Sequence, residues 1–120
     1  MIKDTIYLTI PSKVEYIATA RLVTSGIANK MNFTIDDIED IKVCVGEACI
    51  NALNWDKKKE INMKFEISDD KLHIFVDSVR EVTPGTSEAY KEGELGLLII
   101  KSLMDDVIFS DKGIEMIKYD

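Results

Sequence analysis

Apolar positions along the chain fall into two periods. Ile6, Leu8 and Ile10 alternate with polar or aromatic residues and stop at Pro11, the pattern of a half-buried first strand. Ser12 and Glu15 then supply the Ser-x-x-Glu signature of a helix start. Tyr16, Ala20, Val23 and Ile27 follow at helical spacing and predict a helix to about Met31. A second helix is predicted from a Thr34 cap to roughly Asn54, with Phe33 and Ile38 spaced as a hydrophobic staple. Its core stripe is Ile38, Ile41, Val45, Ala48 and Ala52. Beyond it, Ile61, Met63, Phe65 and Ile67 alternate strictly, as do Leu72, Ile74 and Val76, with Ser68-Asp69-Asp70 between them. That is a hairpin with one buried face. Residues 80–92 carry few apolar side chains and contain Pro84-Gly85, so they predict a long loop that is functional or mobile. Residues 95–104 form an apolar helix introduced by Gly93 and Gly96, and residues 107–110 and 114–119 a last hairpin around Asp111-Lys112-Gly113.

The order β-α-α-β-β-loop-α-β-β, with strands in adjacent pairs, predicts a two-layer α/β (α+β) sandwich. Its sheet would be mixed or mainly antiparallel, with helices on one face. Neither a repeat nor a linker interrupts residues 1–120, so one domain is expected. Hydrophobic content of 46% and charged content of 31% are those of a soluble globular protein. No apolar run reaches the length of about 18 residues that suggests a membrane span. Met1-Ile2-Lys3-Asp4 places an acid where a secretory signal would carry its apolar stretch, which gives a cytoplasmic location as the default. The formal net charge of −7 and the single short cluster Lys57-Lys58-Lys59 argue against direct grip on nucleic acid. Cys44 and Cys49, five apart on one predicted helix, face different ways and read as small buried hydrophobes in a reducing compartment.

Three groups of residues carry possible chemistry. Glu47 and Asn51 are four apart on the second helix and share a face away from the centre of its core stripe. A glutamate can act as a general base and an asparagine oxygen can ligate Mg²⁺. The same pair also suits the polar flank of an amphipathic helix. Asp77 ends the run from Leu72 to Val76, where a carboxylate can accept a bond from an exocyclic amine or simply terminate a strand. It has the parity of Phe75 and so faces away from Leu72, Ile74 and Val76 unless a bulge intervenes. Gly93-Glu94-Leu95-Gly96-Leu97 enters a predicted helix, where glycine amides and the helix dipole favour an anion such as phosphate. His73, the single histidine, sits mid-strand and reads as a packing or surface residue. Without it no Ser-His-Asp set can be assembled.

The order and spacing of these groups say more than each alone. Glu47-Ala48-Cys49-Ile50-Asn51-Ala52 resembles the N box, Glu-x-x-x-Asn-Ala, of the histidine-kinase-like (GHKL) ATPases. Asp77 follows a strand where that family's G1 box places its adenine-binding aspartate, a loop follows where the family has its ATP lid, and Gly93 to Leu97 looks like its G2 box. The short chain and its closing segments are similar to the small anti-sigma factor kinases of the RsbW type. The resemblance implies a Bergerat-type ATPase fold that binds ATP with Mg²⁺. It implies a bacterial, cytoplasmic, commonly dimeric protein that holds a sigma factor inactive and phosphorylates a serine on an anti-anti-sigma partner, in stress response or sporulation. Carried over by position, Glu47 would be the catalytic base and Asn51 would hold Mg²⁺. Asp77 would bind adenine, and Gly93, Gly96 and Leu97 would lie along the nucleotide. The chain departs from the family at Asp77-Ser78-Val79-Arg80-Glu81, where the G1 box normally carries glycine at the places of Val79 and Glu81. A degenerate regulatory binding module that has lost ATP turnover is the alternative reading.

Overall fold

The computed structural model describes residues 1–55, 58–81 and 88–120. β1 (Ile2–Pro11) leads through one 3₁₀ turn (Val14–Tyr16) into α1 (Ile17–Ala28) and α2 (Ile35–Trp55). β2 (Glu60–Ser68) and β3 (Lys71–Asp77) follow, then α3 (Glu88–Leu103), β4 (Asp106–Phe109) and β5 (Gly113–Tyr119). The strands form one sheet in the order β1-β2-β3-β5-β4, and every neighbouring pair is antiparallel. The helices cover one face, so the predicted two-layer sandwich is the observed one, and among the described residues its sheet has no parallel pair.

Strand parity fixes the core. Ile61, Met63 and Phe65 on β2 and Leu72, Ile74 and Val76 on β3 are at most 1% exposed, and they meet Ile41, Val45 and Ala48 from α2. Phe65 pairs with Ile74 and Ile74 with Met116, so one register line crosses three strands inside the core. A one-residue slip of any strand would turn this set to water, which is why the hairpin was readable.

α2 starts as predicted. The Thr34 hydroxyl accepts the Asp37 amide at 3.1 Å, and Phe33 and Ile38 are both buried beside it. α1 starts differently. No side chain caps its entry, and the Ser12 amide instead donates to the Lys59 carbonyl at 2.8 Å, tying the end of β1 to the start of β2. The tighter 3₁₀ turn shifts the phase of the helix. The buried stripe is Ile17, Ala20, Thr24 and Ile27, while Tyr16 stays exposed and the helix ends at Ala28, before Met31.

α3 is the larger correction. It begins at Glu88, so Gly93 and Gly96 lie inside the helix and do not introduce it. Glu, Ala and Lys are strong helix formers, and their propensity outweighs the cost of a glycine of about 1 kcal/mol. Of the predicted loop over residues 80–92, residues 82–87 lie outside the described residues and the last part is helical.

Candidate nucleotide site

The second half of α2 carries Glu47, partly buried, and Asn51, 5% exposed. α3 crosses α2 at Gly96. A Cβ added there would stand 2.9 Å from Glu47 Oε2, so the carboxylate lies in space that any other residue would fill. Gly46, one residue earlier on α2, leaves room in the same way for the Arg21 guanidinium reaching over from α1. Gly96 on α3 thus admits a carboxylate from α2, and Gly46 on α2 a guanidinium from α1.

Asn51 is bound on both of its polar ends. Its Nδ2 donates to the Arg80 carbonyl at 3.1 Å and its Oδ1 accepts the Arg80 amide at 3.0 Å. This two-point pairing satisfies a buried amide side chain. It also pins the segment after β3 against the helix that carries Glu47. Val79 on that segment is 1% exposed and belongs to the core.

Asp77 keeps the parity that its strand gives it. The β3–β5 register runs without a break from Lys71 opposite Tyr119 to Asp77 opposite Gly113, so no bulge turns the carboxylate inward. Asp77 accepts the Asn62 amide on Oδ1 and Asn62 Nδ2 on Oδ2, each at 2.9 Å. Thr9 Oγ1 in turn donates to Asn62 Oδ1 at 2.7 Å. Asn62 is exposed between buried Ile61 and Met63, so this three-strand chain of bonds lies on the sheet face opposite the helices.

Sequence reasoning passed over the next residue. Ser78 has φ +66°, in the left-handed region, and its amide donates to the Lys112 carbonyl at 2.9 Å. Among the described residues its buried Oγ has no hydrogen-bond partner. With Asp77 and Arg80 it lines a cavity of about 370 Å³ at the end of the sheet, within the ordinary size of a small-ligand site. The signal was available in the alternation itself, because the inward position after Val76 is 78, not 77. Gly113, opposite Asp77, is required here, since a Cβ would run into the Val76 carbonyl oxygen.

Of the remaining candidates, Leu97 is 4% exposed and packs in the core. Gly93 sits in the second turn of α3, where amides bond within the helix, so its approach to an anion would need that turn to open. His73 lies on the open sheet face, with Nε2 2.9 Å from Glu115 Oε1 and Nδ1 3.5 Å from Glu66 Oε1. The two thiols are buried, and burial pushes both up to about 12. Among the described residues no cluster of three or more His, Cys, Asp or Glu could hold a metal ion. The Asn51 oxygen is of the type Mg²⁺ takes, but it is buried and already accepts the Arg80 amide, so holding Mg²⁺ would require its second lone pair to be uncovered.

The histidine kinase-like ATPase domain matches residues 10–118, a span that contains every one of these side chains except Thr9. The chain belongs to that family. It is 36% identical to the serine-protein kinase RsbW of Bacillus velezensis over 97% of this chain and 86% of the relative. It is 38% identical to the RsbW of Halalkalibacterium halodurans, over 87% and 74%, and 34% identical to that of Bacillus subtilis, over 87% and 76%. Among the described residues no helix is long and apolar enough to cross a membrane.

Proposed function

We propose that this chain is an ATP-dependent protein serine kinase and anti-sigma factor. It binds a sigma factor and phosphorylates a serine on an anti-anti-sigma partner, as a bacterial cytoplasmic homodimer serving stress response or sporulation. The relatives carry the name serine-protein kinase, and the observation that supports the same chemistry here is the Glu47 carboxylate held in the gap that Gly96 leaves. Glu47 takes the proton from the partner's serine hydroxyl as its oxygen attacks the γ-phosphorus of ATP, and ADP departs. Asn51 would hold Mg²⁺, which neutralises phosphate charge. Motif order assigns adenine to Asp77 and the phosphates to the Gly93–Gly96 turn, with Leu97 behind them. Phosphoryl transfer asks little covalent chemistry of the protein, so placement of these groups supplies most of the rate.

Phosphate transfer from labelled ATP to the anti-anti-sigma partner tests the reading. Glu47→Gln is expected to lower the rate by a factor on the order of 10²–10⁴ and to leave ATP affinity within about twofold. Sigma-factor binding by an unaltered chain that transfers no phosphate would favour the binding module.

A further inference from the structure

Both polar atoms of the buried Asn51 side chain face one backbone residue. The Arg80 carbonyl accepts from Nδ2 at 3.1 Å and the Arg80 amide donates to Oδ1 at 3.0 Å. The segment that makes this match is tied down along its length. Ser78 fixes its start, donating its amide to the Lys112 carbonyl in the β4–β5 turn at 2.9 Å. Val79 is buried in the core. Glu81 reaches α3, with Oε2 3.4 Å from Lys101 Nζ. That ion pair is exposed and holds weakly, whereas a buried valine holds well, so Val79 is the anchor. A glycine in its place would bury no side chain and give the backbone more freedom.

We propose that residues 79–81 are an autoinhibitory clasp. In the free chain the Arg80 backbone holds Asn51 shut, and a Mg²⁺-bound nucleoside triphosphate gains the Asn51 oxygen only when this segment lets go of α2. The inference rests on the nucleotide-binding reading above. A ligand that binds only the open form is weakened by the fraction of chains that are open. Two hydrogen bonds of ordinary strength, backed by one buried valine, set that fraction at roughly one in a hundred to one in ten thousand. Nucleotide affinity then depends on how well Val79 packs, and not only on the groups that touch the ligand.

The opening that admits the ligand also exposes the Arg80 amide to hydrogen exchange, so affinity and exchange can be measured against each other on the full chain. In the unaltered chain the Arg80 amide should exchange faster than that of Phe65, through an opening smaller than unfolding. Val79→Ala keeps both clasp groups and trims the anchor. It should speed Arg80 exchange roughly tenfold and tighten the dissociation constant for Mg²⁺–ATP by the same factor. A change that merely destabilises the fold would leave affinity unchanged or lower it, so tighter binding is the sign of a clasp. Val79→Thr keeps the volume and buries a hydroxyl, so it loosens the same anchor without a cavity if the alanine variant does not fold. The gain should vanish when EDTA replaces Mg²⁺, because only the metal needs the Asn51 oxygen. Faster Arg80 exchange with no gain in Mg²⁺–ATP affinity would overturn the proposal, as would an equal gain in EDTA. If neither the unaltered chain nor the variants bind ATP with Mg²⁺, the nucleotide reading itself fails and takes this inference with it. ATP binding with any other adverse result removes only the inference.

Discussion

Gly96→Ala separates the stability of the α2–α3 crossing from its chemistry. The new methyl would stand 2.9 Å from Glu47 Oε2, 3.8 Å from its Cδ and 3.9 Å from its Cβ. Only the oxygen is too close, and it is the far end of a flexible side chain. A shift of about 0.5 Å restores an ordinary contact, at a cost of order a few tenths of a kcal/mol against a helix-propensity gain of about 1 kcal/mol. The variant should therefore be as stable as the parent or up to about 1 kcal/mol more stable, which raises Tm by up to roughly 4 °C. Catalysis should respond the other way. A misplacement of 1 Å can cost on the order of a hundredfold, so a displaced general base predicts a kcat about tenfold lower. Gly26→Ala on α1 is the control, because nothing lies within 4 Å of its added methyl. It should gain similar stability and keep full activity. Thermal melts and phosphotransfer rates on the three proteins decide the matter. Full kcat in Gly96→Ala, or a loss of more than about 1 kcal/mol, would refute the placement of Glu47.

Gly113→Ala should behave quite unlike Gly96→Ala, since its methyl meets the backbone of Val76 and no side chain can yield. A urea midpoint lowered by the equivalent of about 2–4 kcal/mol, at an unchanged m-value, is expected. Burial holds the Cys44 and Cys49 thiols at about 12 against about 9 in the unfolded chain. Their contribution to stability is complete below about pH 9 and is lost as pH rises from there toward about 12, because only the unfolded state releases the protons. Thiol labelling at pH 8 should be slow in the native protein and fast after unfolding, and Cys44→Ala with Cys49→Ala should flatten the alkaline limb of the stability curve.

Segments buried on one face were the legible ones. β2, β3 and α2 each present a periodic stripe to a single core, and their parity or phase admits one solution. The start of α1 was misread because Ser12 and Glu15 match a capping box whose amide partner goes instead to Lys59, a long-range contact that local spacing cannot report. The start of α3 differs from the pattern because glycine is not a boundary there. At Gly96 it marks a close approach between helices, and that contact exists only once α2 is in place. Glu47 and Asn51 were legible as a pair from their spacing of four. The pairing of Asn51 with Arg80 was not, since it joins a side chain to a backbone 29 residues away. Ser78 is legible in the alternation, since it shares the inward parity of Val76.

The strand order has a consequence for how the chain reaches this state. β5 lies between β3 and β4, which both precede it in the chain. Until residues 113–119 are available, β4 has no partner and β3 has an open edge. The antiparallel β1–β2–β3 unit can pair early, but half of the layer under α3 has nothing to hold it. Exposed strand edges invite pairing with other chains. Nascent chains stalled before residue 113 should thus be the aggregation-prone species, and premature stops anywhere in β5 should split the sheet outright and not merely trim it.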